Sequence, residues 1–205
     1  MAESHPTAPI LERRERPLAE RLAAYAHGLT YEELDNTTVE RVKTLLIDTI
    51  GCGVGAWDER PVRICREIAL SAAGPATIIG TRRRTTTELA AFTNAVAFRY
   101  LDFNDTYVGR FAVHPSDNIA ACLAVAEAER ASARELITAI VIAYEVNCRL
   151  VDALDISTRG WDPPVFGLPA VALAAGRFST RILQRCGKCR EARLTAQRGP
   201  CHHRQ

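Results

Sequence analysis

Between Leu101 and Asn118 the chain reads LDFNDTYVGRFAVHPSDN, which gathers the carboxylates Asp102, Asp105 and Asp117, the hydroxyl of Thr106 and the imidazole of His114. Asp102 and Asp105 are three apart and Thr106 is four from Asp102, so a helix carried through the segment would set them on one face. His114 precedes Pro115-Ser116-Asp117, where Ser116 or Asp117 caps the next helix and leaves its first amides free to meet an anion. An imidazole at a helix start beside carboxylates is an acid/base suited to moving a proton next to a carbonyl or carboxylate. Thr106 would donate to a leaving hydroxyl or a substrate carboxylate. The chemistry this suits is proton abstraction followed by elimination on a polyanion. The same residue types also make an ordinary helix start with no chemistry, and both readings stay open on residue types alone. HxxxH or ExxH spacing is absent, so the segment specifies no metal site.

Helices must position these groups, because apolar residues at helical spacing dominate from about Leu18 to Leu154. A first helix is expected from about Pro17 to His27, with Leu18, Leu22 and Tyr25 on one face and Gly28 as its stop. A second starts near Thr37 or Thr38 and turns Val39, Val42, Leu45, Leu46, Thr49 and Ile50 to the core. It then meets GCGVG, Gly51 to Gly55, which lacks the Lys-Ser/Thr of a phosphate loop and reads as close helix packing. A third runs from Pro61 to about Ala73. ATIIG, 76–80, is the best candidate strand. Thr85-Thr86-Thr87-Glu88 reads as a capping box opening a helix to about Tyr100, and Ser132 with Glu135 reads as another. Helices are expected over about Asp117 to Arg130 and Ala133 to Leu154, the latter with Leu136, Ile140, Ala143, Val146 and Leu150 as its buried stripe. The fold class is all-α, a multi-helix bundle with at most a short strand near 76–80.

Composition narrows the function classes. Of the 205 residues 47% are apolar, yet no long uncharged apolar run is present, so no membrane span is expected. The N-terminus has no apolar signal region, which places the chain in the cytoplasm by default. Cys52, Cys65, Cys122 and Cys148 sit singly in apolar surroundings and read as small buried hydrophobes. The net charge of +2 is uneven: from Arg177 onward there are eight Lys or Arg against one acid, and before it eighteen against twenty-three. The organisation expected is a flexible segment over 1–16, a helical domain over 17–176 and a basic tail over 177–205.

LDFNDTY followed by HPSDN, the helix ending AEAERASARELITAIVIAYEV, and the segments KTLLIDTIGCGVGA, ATIIG and VFGLPAVALAAG together resemble the MmgE/PrpD family, from Pro17 to about Gly176. The resemblance implies an all-helical domain carrying most of an active site, completed by a smaller α+β lid, in a homodimer. Its implied activities are dehydration of 2-methylcitrate in propionate breakdown and decarboxylation of cis-aconitate, without an iron-sulfur cluster or other cofactor. The implied partner is a small tricarboxylate, with no nucleic acid or membrane. Carried over position by position, Asp102, Thr106 and His114 match the family's catalytic Asp, Thr and His. Ser116 and Asp105 are substrate-binding candidates within the same motif, Asp105 also as a holder of the loop. Asn104 stands where an acidic residue is common, and near Gly160 to Asp162 relatives carry a His that this chain lacks. Family members are much longer and draw a Lys, a His and an aromatic from later helices and the lid. An incomplete enzyme is therefore expected, with an inactive fragment or a helical interaction partner as the alternative.

The tail FSTRILQRCGKCREARLTAQRGPCHHRQ departs from that pattern. Three readings compete: an altered reading frame near Gly176 or Arg177, a zinc site from Cys186, Cys189, Cys201 and His202, and a basic arm for nucleic acid or an acidic partner.

Overall fold

Helices build almost all of the computed structural model, which describes residues 16–154, 156 and 160–178. They are α1 (Leu18–Gly28), α2 (Asn36–Gly55), α3 (Arg60–Leu70), α4 (Thr87–Tyr100), α5 (Ile119–Ala128), α6 (Ala133–Ala153) and α7 (167–178). Two short antiparallel hairpins interrupt them. β1 (Ala76–Thr77) pairs with β2 (Arg84–Thr85), and β3 (Tyr107–Val108) with β4 (Ala112–Val113). The mainly α fold is as expected. The first fifteen residues and the Cys-containing tail from 179, with its candidate zinc ligands, lie outside the described residues.

The main core lies between α2, α4, α5 and α6. Val39 and Val42 meet Phe98, Ile119, Cys122 and Ile140, and α7 adds Ala174 and Phe178. The expected inner face of α2 packs there, with Thr49 fully buried and Leu45, Leu46 and Ile50 half-buried against the cluster. On α1 the packed face is Leu22 with Ala26, while Leu18 and Tyr25 are exposed, which corrects the expected stripe. α7 returns to α1, where Arg177 donates to the Ala26 carbonyl at 2.9 Å. Among the described residues Cys52, Cys65, Cys122 and Cys148 are free thiols. Burial pushes Cys122 up to about 12 and Cys148 up to about 11.

Caps mark several boundaries. Ser132 and Glu135 form the expected capping box of α6, Glu135 accepting the Ser132 amide at 2.8 Å. α4 starts one residue later than expected: Thr86, not Thr85, caps it by accepting from the Leu89 amide at 3.3 Å. Thr85 is instead a fully buried strand residue paired with Ala76. The ATIIG strand is only two residues long, because the Thr77 carbonyl and the Ile79 amide are taken by Asn94 of α4, each at 3.0 Å.

Gly51 to Gly55 are the last turns of α2, not a loop beyond it. A Cβ at Gly53 would lie 2.7 Å from the Phe98 ring, so the missing side chain is what lets α4 approach. Gly53→Ala is expected to lower stability by about 1–3 kcal/mol through overpacking, although alanine favours helix by about 1 kcal/mol. Urea unfolding checks this, and a stability equal to the parent's would contradict the packing role.

Candidate active site

The helix does not continue through the carboxylate segment. α4 ends at Tyr100, and Asp102 takes a left-handed backbone, φ 51°, with its amide donating to the Arg99 carbonyl at 3.0 Å. Asp102 and Thr106 are therefore not helical neighbours. The turn is held by Arg99, whose guanidinium pairs with the Asp102 carboxylate. Its hydrogen bond and charge, with help from His114, hold that carboxyl below its usual range, so Asp102 is ionised.

The hairpin after it does the positioning. Tyr107 pairs with Val113 and Val108 with Ala112, and the register carried one residue further sets Thr106 opposite His114. The Thr106 hydroxyl lies 3.5 Å from His114 Nδ1, at the limit of hydrogen bonding. The stronger partner of Nδ1 is the Asp105 carbonyl at 2.7 Å. A carbonyl only accepts, so Nδ1 carries the proton and Nε2 keeps a lone pair in the neutral ring. That Nε2 stands 3.6 Å from Asp102 Oδ1.

The hairpin is itself pinned to the end of α6. Tyr107 donates to Asp152 Oδ2 and Arg110 Nε to the Asp152 carbonyl, both at 2.7 Å. Gly109 passes so close that an added Cβ would fall 2.4 Å from Asp152 Oδ1.

Asp105 and Ser116 hold the loop. The Ser116 amide donates to Asp105 Oδ1 at 3.1 Å, and the fully buried Ser116 hydroxyl accepts from Asn104 Nδ2 at 2.8 Å. The helix start expected at Ser116 or Asp117 is a 3-10 turn, Pro115–Asn118, without a side-chain cap. Its amides are spent inside the chain, Ser116 on Asp105 and Asp117 on the His114 carbonyl at 3.0 Å, which replaces the expected free anion site. Neither Ser116 nor Asp105 lines the neighbouring cavity.

That cavity, about 530 Å³, opens beside His114 between the end of α4, the 3-10 turn, α6 and the start of α7. Its polar lining is Arg99, His114, Asp117, Asn118, Asn147 and Asp162, with Pro163, Pro164, Gly167 and Leu168 among the rest. The volume suits a small molecule. Asp102 and Thr106 are not in the lining; each lies beside the imidazole, Asp102 nearest Nε2 and Thr106 nearest Nδ1. No group of His, Cys, Asp or Glu among the described residues is arranged to hold a metal ion.

Sequence reading missed four of these groups and gave Asp117 only a capping role. Arg99 lies one turn before the motif, and its use depends on the turn at Asp102. Asn147 left a signal, as a polar residue at helical spacing from the apolar Ile140, Ala143 and Val151 of α6. Asn118 and Asp162 left none, because Asn and Asp are ordinary at helix starts.

Asp117 is partly buried, and burial raises its carboxyl above the usual range against the lowering effects of Arg99, 3.7 Å away, His114 and Asn104. A carboxyl that holds its proton more tightly folded than unfolded costs stability as pH rises through the carboxylate range. Asp117→Asn removes that cost. The variant is expected to exceed the parent in stability at neutral pH, with the gap closing below about pH 3. Urea unfolding at the two pH values tests it, and a gap that is the same at both would exclude the ionisation argument.

The MmgE/PrpD N-terminal domain matches residues 20–181. Cis-aconitate decarboxylase of Homo sapiens is 31% identical over 189 residues, 86% of this chain and 38% of that protein. The Mus musculus enzyme of the same name is 29% identical over the same shares. 2-Methylcitrate dehydratase of Escherichia coli (strain K12) is 30% identical over 135 residues, 58% of this chain and 27% of that protein. The chain thus spans well under half the length of these relatives, and its match runs through both hairpins, the carboxylate segment and the cavity: it belongs to the MmgE/PrpD family.

Proposed function

We propose that the chain carries the proton-transfer part of a lyase site for tricarboxylic acids, with His114 as the group that moves the proton. The carrying observation is the imidazole itself: Nδ1 is tied to the Asp105 carbonyl at 2.7 Å, and the free Nε2 stands 3.6 Å from an ionised Asp102.

In an elimination of water, Nε2 takes a proton from the carbon next to a carboxylate. The C–H electrons form the new double bond, and the hydroxyl leaves the adjacent carbon as water with the proton returned by the imidazolium that the abstraction forms. The imidazolium so formed is stabilised by Asp102, which acts as partner and not as acid because Arg99 keeps it ionised. Thr106 lies beside the ring, 3.5 Å from Nδ1, and outside the cavity lining, so its part is with the imidazole and not with the substrate. The activities for which the relatives are named, dehydration of 2-methylcitrate and decarboxylation of cis-aconitate, share this substrate class. Arg99 is the only Lys or Arg lining the cavity among the described residues, and it already faces Asp102 and Asp117. Charge to neutralise three carboxylates has to come from other protein surface, which reads as the rest of a longer enzyme or a second copy.

The test is turnover of 2-methylcitrate and of cis-aconitate by the chain, with His114→Ala beside it. Turnover of either acid, reduced at least about 100-fold in the variant, is expected from loss of a proton-transfer group. A variant with near-parent rates, in this chain or at the matching histidine of a full-length relative that supplies the missing charge, would overturn the proposal.

A further inference from the structure

Asn147 sits in the buried stripe of α6, 4% exposed, and lines the cavity. Its Oδ1 meets no donor among the described residues. Asn118 Nδ2, on the same cavity, donates to the Pro115 carbonyl at 2.9 Å and not to this oxygen. A buried amide oxygen left unpaired is unfavourable, and an apolar residue of similar size would fit the stripe without that cost. The partner this oxygen lacks is a donor arriving in the cavity.

Which ligand group donates is settled by elementary chemistry. At neutral pH the carboxylates of a tricarboxylic acid accept hydrogen bonds and donate none. An unsaturated tricarboxylate such as cis-aconitate therefore offers Asn147 Oδ1 nothing, whereas a hydroxytricarboxylate offers one O–H. Building on the tricarboxylate reading above, we infer that Asn147 is a specificity-determining residue whose Oδ1 accepts the hydroxyl of a hydroxytricarboxylate. The cavity then takes the hydroxy acid in preference to its dehydrated counterpart, which matches dehydration over decarboxylation.

Citrate and propane-1,2,3-tricarboxylate differ only in that hydroxyl, so calorimetric titration of the full chain with each isolates it. Citrate is expected to bind about tenfold more tightly, the worth of one neutral hydrogen bond. In Asn147→Leu the ratio falls to about one, while the melting temperature is unchanged or higher, because the variant removes an unpaired buried oxygen. A purely structural asparagine would lower the melting temperature instead. Asn147→Ala, which adds no bulk, serves if the leucine variant does not fold. Equal affinities in the parent, or a hydroxyl preference that survives in a folded variant, would overturn the inference and leave the tricarboxylate reading standing. Binding of neither acid would remove that reading, and the inference with it.

Discussion

The guanidinium of Arg99 faces two carboxylates that reach it from opposite ends of one connection, Asp102 just after α4 and Asp117 just before α5. Most of the candidate site follows from that geometry. The pair with Asp102 accompanies the left-handed turn that ends α4, and that turn sends the chain into the hairpin instead of a further helical turn. The two carboxyls are then driven apart in character. Asp102, exposed and paired, is held ionised; Asp117, partly buried, is raised. His114 stands close to Asp102 and shares the cavity with Asp117. Environments that separate the protonation of neighbouring groups are what acid/base chemistry requires.

The imidazole is fixed from the other side by backbone. Its Nδ1 proton goes to the Asp105 carbonyl, and the Asp105 side chain accepts the Ser116 amide, so one residue orients the ring and ties down the turn that follows. The hairpin that brings the ring there has two residues in each strand, too few to be stable alone. It is anchored by Asp152 at the end of α6, and Gly109 is needed at the contact because no side chain fits there. The length of α6 is thus part of the site: one end is set by the Ser132 capping box, and the other holds the hairpin.

These dependencies explain what was legible in the sequence. Long helices with one buried face announce themselves, so α2, α4 and α6 and their inner residues were readable, as was the Ser132 and Glu135 cap. The motif from Asp102 to His114 was readable as a concentration of reactive types. Its geometry was not, because spacing of three and four implies a helical face only if the helix continues, and a left-handed Asp in an ion pair leaves no periodic signal. Strands of two residues lie below what alternation can reveal. The 3-10 turn replaced the expected cap because the Ser116 amide found a partner beyond the turn, at Asp105, while the Asp117 amide closed the turn's own bond to His114.

The buried polar atoms without partners distinguish structural from functional parts of this neighbourhood. Asn104 Oδ1 is unpaired in the loop, while burial, with the charge and hydrogen bond of Asp105, pushes the Tyr144 phenol above its ordinary range. Each such group costs about 1–3 kcal/mol when it stays unsatisfied. Asn104 recovers part of that through two donated bonds, which hold Ser116 and Asp117 in place. Asn147 shows no such return: its oxygen is unpaired in a helix whose neighbouring stripe is apolar, and it lines the cavity that His114 also lines. A side chain that gains nothing for the fold at that oxygen and lies where a ligand would sit is best explained by the ligand. The chain's own charge argues the same way, since Arg99 is already committed to Asp102 and Asp117. What this part of the site can add to recognition is then a neutral hydrogen bond and a proton-transfer group, with the carboxylates of the substrate neutralised elsewhere.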